Sequence, residues 1–83
     1  MQYFVKLDVS VCEIVICIID EKESIVFQEK LLLPNKSPYL IDRYLRSKGL
    51  KIESISLKRS ALSGYIVYEL SSFGWNVILA GAI

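Results

Sequence analysis

Three consecutive runs rich in β-branched and aromatic residues open the chain and constrain its fold more than any other feature. They occupy residues 2–9, 12–20 and 24–33 and are separated by short polar segments. Residues of these types favour strands, and short polar segments between such runs are typical of tight turns. The first 33 residues therefore predict a three-stranded antiparallel meander.

The remainder of the chain alternates between helical and strand patterns. A helix is predicted to begin at Pro38, with Ser37 as its N-terminal cap, and to end at Gly49. Gly74 is placed to end a second helix. A strand, this second helix and a last strand are predicted, in that order, over residues 51–58, 61–73 and 75–83.

The two predicted helices differ in how their apolar residues are distributed. In the first helix, apolar residues recur at helical spacing, which predicts that Asp42, Arg43 and Arg46 lie on the opposite, solvent-facing side. In the second helix, apolar residues go nearly all the way round, so one buried stripe is not expected to account for them. These residues are Leu62, Tyr65, Ile66, Tyr68, Leu70 and Phe73.

This order of elements, β-β-β-α-β-α-β, predicts a single α/β domain over residues 1–83. Right-handed crossovers set the fourth and fifth strands parallel to the first. Placing the fourth strand beside the first gives the sheet order 3-2-1-4-5, a five-stranded mixed sheet with two helices, which is the ribonuclease-H-like arrangement. Nucleases, transposases and sugar-kinase-type ATPases share this fold, so the fold alone does not choose a function.

Composition excludes several classes of function. The sequence contains no histidine, which removes Ser-His and Cys-His catalysis and the usual zinc patterns. Cys12 and Cys17 fall on opposite faces of one predicted strand, about 16 Å apart, so they cannot bridge each other and are expected to be small buried thiols in a reducing compartment. No apolar run reaches the roughly 20 residues of a membrane helix, and no export signal is recognisable, so a cytoplasmic location is expected.

Charge is distributed unevenly, although the net charge is only +1. Residues 1–33 carry three lysines against six acidic residues, whereas residues 43–59 carry six basic residues against Glu53 alone. The basic segment either faces phosphates or forms the solvated side of a helix and a strand end. Weak, nonspecific and salt-dependent DNA binding is predicted for its basic residues. The candidates are Arg43, Arg46, Lys48, Lys51, Lys58 and Arg59.

One carboxylate, Asp8, interrupts the apolar pattern near the end of the first predicted strand. Aspartate is depleted in strands and costly to bury alone, so it indicates a cap, an ion pair or a metal site, or is only a strand-end residue. Lys58 ends the fourth strand, which predicts both residues at the carboxyl edge of parallel strands, where ligands gather. A two-metal site needs several carboxylates there, and here the second position is cationic.

Two long stretches of the chain carry a series of recognisable motifs. They are "YFVKLDVSVCEIVICIIDEKESIVFQEKLLLP", residues 3–34, and "LIDRYLRSKGLKIESISLKRSALSGYIVYELSSFGWNVILAG", residues 40–81. Together they resemble the N-terminal part of the DEDD transposases of the insertion-sequence one-ten family, whose catalytic domain is RuvC-like. The resemblance covers nearly all of this chain but only the first portion of such a transposase. It implies DNA recombination that depends on Mg²⁺ in the intact family.

The resemblance assigns family positions to individual residues. Asp8 matches the first catalytic aspartate, and Lys58 occupies the position of the catalytic glutamate. Lys6 replaces the usual glycine and Val11 a basic residue, and the other two aspartates of the tetrad fall beyond residue 83. The resemblance therefore implies that this chain lacks a complete set of metal ligands, needs no cofactor and is inactive by itself.

A glutamate-to-lysine exchange removes a ligand charge and adds a fixed cation, which suggests that the Lys58 ammonium pairs with Asp8 where a metal would lie.

The first functional hypothesis is accordingly an inactive transposase domain. The second is a homodimerising or partner-docking module, because a chain that is 53% hydrophobic is expected to expose apolar patches. A third hypothesis is a sugar-kinase-type ATP-binding domain, which shares the strand order. This sequence, however, has no glycine-rich phosphate loop near Asp8, and no small-molecule substrate is evident.

Overall fold

Five strands and two helices follow one another in the described residues, in the order predicted from the sequence. The structure, a computed structural model, describes residues 1–10, 12–32, 38–58 and 63–80. The elements are β1 (Tyr3–Val9), β2 (Glu13–Ile19), β3 (Ile25–Leu32), α1 (Pro38–Ser47), β4 (Ile52–Lys58), α2 (Ser63–Ser72) and β5 (Val77–Ala80).

The five strands form one mixed sheet in the order β3-β2-β1-β4-β5. The first three strands pair antiparallel, whereas β4 is parallel to both β1 and β5. Each helix connects strands that run in the same direction, as right-handed crossover connections require. The predicted α/β fold with ribonuclease-H-like topology is confirmed.

The hydrophobic core lies between one face of the sheet and both helices. Side chains alternate between faces along a strand, and the buried set on β1, β2 and β4 follows that alternation. Ile41 and Leu45 of α1 and Ile66 and Leu70 of α2 pack against these strand residues. Each fully buried aliphatic side chain contributes about 1.5–3 kcal/mol. The strand residues are Val5, Leu7, Ile14, Ile16, Ile18, Ile55 and Leu57.

The opposite face of the sheet, here called the open face, carries no helix among the described residues. Its central positions are Lys6 and Asp8 on β1, Cys17 on β2, and Ser56 and Lys58 on β4. Lys6, Asp8 and Lys58 are exposed, in contrast to the buried residues that alternate with them. Polar side chains therefore collect on the side of the sheet that the core does not use.

The helices differ in how far their packing agrees with prediction. Asp42 is only 8% exposed, so the prediction that it faces solvent is wrong. In α2, Ile66 and Leu70 form a single buried stripe, while Tyr65 and Tyr68 are 59% and 71% exposed. One buried stripe therefore does not account for all the apolar residues of α2, as expected, and the two tyrosines remain in solvent. Ser37 and Leu62 lie outside the described residues.

The predicted helix ends are confirmed at both glycines. Gly49 and Gly74 have φ angles of +65° and +98°, a region that residues with a Cβ rarely adopt. After α2, the Gly74 amide donates to the Ser71 carbonyl (3.0 Å), and the Trp75 amide donates to the Leu70 carbonyl (3.2 Å). This pair of hydrogen bonds is the Schellman motif, which satisfies the last carbonyls of a helix.

Two further predictions concern the cysteines and the membrane. Cys12 and Cys17 are both free thiols, as predicted, but Cys12 is exposed and Cys17 is half-buried, so the prediction that they are buried is wrong. Cys12 precedes β2, and Cys17 lies on the open face rather than in the core. Within the part of the chain that the structure describes, neither helix has the length and apolar content needed to cross a membrane.

Candidate functional site

A groove on the open face lies at the carboxyl ends of β1 and β4. Leu7 of β1 pairs with Leu57 of β4 in the parallel register, so the next residues, Asp8 and Lys58, are neighbours across the two strands. Both side chains line the groove, which has a volume of about 600 Å³. The structure thus brings together the two site residues that the sequence predicts at this edge.

The register of the sheet arranges the groove residues in two cross-strand rows. One row runs from Gln28 on β3 through Cys17 and Lys6 to Ser56 on β4. The second row runs from Lys30 through Val15 to Asp8, with Lys58 beyond it. Facing pairs in a sheet have Cβ atoms about 4.5–5.5 Å apart, so side chains within each row reach their neighbours. This groove is called the β1–β4 groove; its lining residues are Lys6, Leu7, Asp8, Val15, Cys17, Gln28, Ser56, Leu57 and Lys58.

The ionised groups of the β1–β4 groove carry an excess of positive charge. Lys6 and Lys58 contribute two ammonium groups, and Asp8 contributes the single carboxylate among the lining residues. In the described residues, the ion pairs within 4.0 Å join Lys30 to Glu13 and Arg46 to Asp42. The direct Asp8–Lys58 ion pair expected from the sequence is therefore not formed. Both ammonium groups remain available to a ligand.

The residues of the β1–β4 groove do not fit the Mg²⁺ on which the intact resembling family depends. Mg²⁺ is held by oxygen ligands, usually including carboxylates, and Asp8 is the single carboxylate here. A protonated lysine cannot coordinate a metal and repels it. Among residues 1–10, 12–32, 38–58 and 63–80, no group of three or more His, Cys, Asp or Glu side chains is arranged to hold a metal ion. No metal-dependent step is assigned to this groove.

The other predicted nucleic-acid residues do not share the groove. Arg43 and Arg46 lie on α1, and Lys48 follows that helix, so all three belong to the helical side of the sheet. The Arg43 guanidinium stacks 5.7 Å from the centre of the Tyr39 ring, and the Lys48 ammonium lies 4.7 Å from that of Phe27. The DNA role of these residues stays a prediction. Lys51 is exposed before β4, and Arg59 lies outside the described residues.

The Arg46 side chain is 57% exposed, but its guanidinium is tied to the fold by three contacts. Its Nε donates to Asp42 Oδ1 at 2.8 Å, and a terminal nitrogen donates to the Phe73 carbonyl at 2.8 Å. The guanidinium also lies 5.0 Å from the centre of the Trp75 ring. A phosphate contact would compete with all three interactions, so Arg46 is a poor nucleic-acid contact compared with Arg43.

Three groove residues, Lys6, Gln28 and Ser56, were not predicted as site residues. Lys6 shares a face of β1 with Asp8, and Ser56 shares a face of β4 with Lys58, so alternation along a strand was a sufficient signal for both. Gln28 differs because its place depends on the β2–β3 register, which its own strand does not reveal.

No protein-family model matches this chain, and no curated protein matches it significantly. The topology defines the chain as an α/β protein with a ribonuclease-H-like sheet. The likeness to DEDD transposases rests on the motifs quoted above, and membership of that family stays a prediction.

Proposed function

We propose that this chain is a RuvC-like N-terminal domain of a DEDD-type transposase that, by itself, does not carry out metal-dependent DNA cleavage. The observation that carries the proposal is the placement of Asp8 beside Lys58 at the carboxyl ends of β1 and β4. In a ribonuclease-H-like sheet, this is the edge at which ligands gather. Domains of this kind act in DNA recombination, so DNA is the proposed partner.

The charge at the Lys58 position supports the loss of metal chemistry. Replacing a carboxylate by an ammonium group changes the local charge by two units beside Asp8. Two divalent ions about 3.5–4 Å apart require surrounding anionic oxygens, and a cation in the second position opposes both of them. Lys6 adds a second ammonium to the same groove. The groove therefore repels the ions on which the chemistry of the resembling family depends.

A charge-restoring variant tests this proposal. Lys58→Glu places a second carboxylate beside Asp8, and we expect it to bind Mn²⁺ with a dissociation constant at least about tenfold lower than that of the wild-type chain. Paramagnetic broadening of amide signals near residues 7, 8, 57 and 58 would report the site. Lys51→Glu makes the same charge change at the other end of β4 and is the matched control.

Two results would contradict the proposal. One is stoichiometric Mg²⁺ or Mn²⁺ binding by the wild-type chain at Asp8. The other is equal gains in Mn²⁺ affinity for Lys58→Glu and Lys51→Glu, which would show a general charge effect rather than a converted site.

The edge strand β3 favours a second candidate function, a self-associating module. β3 is the eight-residue outer strand of the sheet, and one side of its backbone has no strand partner among the described residues. Ile25, Val26 and Leu32 are 60%, 40% and 55% exposed on it. The unpaired backbone groups of such an exposed edge strand can pair with those of another chain. We propose a second copy of β3 as the occupant, in antiparallel pairing.

Backbone complementarity supports pairing between two copies of β3, because antiparallel pairing about a twofold axis joins the hydrogen-bonding edge of each copy that is unpaired among the described residues. Sedimentation equilibrium should show a dimer that Val26→Lys converts to a monomer. Tyr68→Lys on α2 is the control and should leave the dimer intact. A wild-type monomer at all concentrations would exclude this function.

A further inference from the structure

We infer that the β1–β4 groove is a binding site for phosphate groups, which its lysines contact directly without a bridging divalent ion. The inference rests on the proposed function in one respect, that the groove takes no metal. It assigns the groove a ligand of the opposite charge from the metal that the same position holds in the resembling family.

The hydrogen-bonding groups of the groove match an oxyanion. Lys6 and Lys58 are exposed, line the same groove and make no ion pair within the described part of the chain. Gln28 adds an amide donor beside them. Charged donors form the strongest hydrogen bonds with phosphate oxygens. The groove thus offers three donor side chains against a single carboxylate.

The sheet places the donors on both sides of Asp8. Lys6 precedes Asp8 by two residues on the same face of β1, and Lys58 follows the Leu7–Leu57 pair on β4. Ser56 is paired with Lys6 across the two strands, and its hydroxyl donates to the Val5 carbonyl at 3.4 Å. The bound anion would lie above Lys6 and Ser56, with Lys58 at one side. These side chains extend from rigid paired strands, which limits the entropy lost on binding.

Substitution of Asp8 distinguishes a phosphate site from a metal site. In an anion site, the Asp8 carboxylate repels the ligand, so Asp8→Asn strengthens binding. In a metal-bridged site, Asp8 is a ligand, and the same substitution weakens binding. The two sites therefore predict opposite signs for one conservative change.

The test is an NMR titration of the full chain with sodium pyrophosphate at constant, low ionic strength. We expect saturable shifts of amide signals at residues 6–8 and 56–58. Lys58→Met should raise the dissociation constant about fivefold, and Lys6→Met with Lys58→Met at least about tenfold. Asp8→Asn should lower it about fivefold. Lys22→Met removes an equal charge at an exposed turn and should leave it unchanged.

Parallel titrations separate this inference from the proposed function. A short single-stranded oligonucleotide that competes with pyrophosphate would extend the site to nucleic-acid phosphodiesters, whereas pyrophosphate binding without competition would limit it to free phosphates. Mn²⁺ bound at Asp8 of the wild-type chain would overturn the proposed function. Absence of both Mn²⁺ and pyrophosphate binding would overturn the inference alone. Equal effects of Lys22→Met and Lys58→Met, or weaker binding by Asp8→Asn, would also overturn it.

Discussion

Asp42 is the residue whose structural role differs most from its place in the sequence pattern. Its Oδ1 accepts hydrogen bonds from Arg46 Nε at 2.8 Å and from Trp75 Nε1 at 2.7 Å. Trp75 lies between α2 and β5, so this one oxygen joins α1 to a segment 33 residues away. A helical pattern classifies an aspartate as solvent-facing. It contains no information about a distant indole donor, and the prediction failed for that reason.

Truncating Asp42 should therefore destabilise the fold. Asp42→Ala leaves the half-buried Trp75 indole and the exposed Arg46 guanidinium without their acceptor. A buried donor that loses its partner costs about 1–3 kcal/mol, whereas water replaces the partner of an exposed donor. We expect the free energy of unfolding to fall by about 1–2 kcal/mol in urea denaturation. Asp8→Ala is the control, because that carboxylate is exposed and should change stability by less than about 0.5 kcal/mol. Equal effects of the two substitutions would contradict the assigned role of Asp42.

Tyr44 makes the stability depend on pH in the alkaline range. Partial burial raises the pKa of the Tyr44 hydroxyl above its ordinary value, and the negative charges of Glu29 and the Cys17 thiolate raise it further. The folded state therefore holds this proton more tightly than the unfolded chain does. The resulting stabilisation is complete below the unfolded pKa of about 10 and is lost as the pH rises through the folded pKa.

Removing the Tyr44 hydroxyl should remove this part of the pH dependence. We expect the free energy of unfolding of Tyr44→Phe to fall less steeply above about pH 10 than that of the wild-type chain. Urea denaturation between about pH 8 and 11 measures the difference. Tyr68→Phe changes a tyrosine that is 71% exposed and should keep the wild-type profile. Superimposable profiles for Tyr44→Phe and the wild-type chain would refute this role.

At the scale of elements, the two glycines of the α2 region should respond to alanine with opposite signs. Gly64 lies inside α2 with nothing within 4 Å of an added Cβ, so Gly64→Ala should stabilise by up to about 1 kcal/mol. Gly74 has φ +98° in the Schellman motif, so Gly74→Ala should destabilise by about 1 kcal/mol or more. Thermal unfolding monitored by circular dichroism measures both. The same sign for both substitutions would contradict the helix boundary.

Most elements could be predicted because their local patterns agree with the final fold. The β-branched runs predicted β1 to β3, the crossover rule predicted that β4 and β5 run parallel to β1, and placing β4 beside β1 gave the strand order that the structure has. α2 was harder to interpret, since Tyr65 and Tyr68 are apolar enough to enter a periodicity count and polar enough to remain in solvent. Local pattern therefore predicted which elements exist better than it predicted which of their faces are covered.

The candidate site could be predicted only in part, for a reason that also lies in the elements. Asp8 and Lys58 end strands that the topology makes neighbours, so their proximity followed from the fold. The distance between their charged groups could not be predicted in this way, because side-chain positions at an exposed strand end are not determined by the strand register. The expected ion pair is consequently not formed, although both side chains line one groove.

At the scale of the whole molecule, the distribution of basic residues limits DNA affinity. Arg43 and Lys48 belong to the helical side, whereas Lys6 and Lys58 lie on the open face. No single approach engages both groups, and the net charge of +1 adds little long-range attraction. A bound strand should therefore contact only about two or three phosphates.

Such a small footprint predicts a moderate salt dependence. Affinity for a short DNA duplex should fall roughly ten- to fortyfold between about 50 and 200 mM salt, as expected for two or three neutralised phosphates. Fluorescence anisotropy at several salt concentrations measures the slope. Lys58→Met should reduce that slope by about one unit if the groove provides a contact. Affinity that is independent of salt would exclude this mode of binding.

Because both helices pack on one face of the sheet, the residues that stabilise the fold and the residues available for ligand binding lie on opposite faces. Substitutions among the exposed positions of the open face can alter ligand preference while the residues that specify the native state stay unchanged. The chain is therefore a minimal scaffold for protein design, on which carboxylates, amines or thiols can be grafted and compared against a constant background.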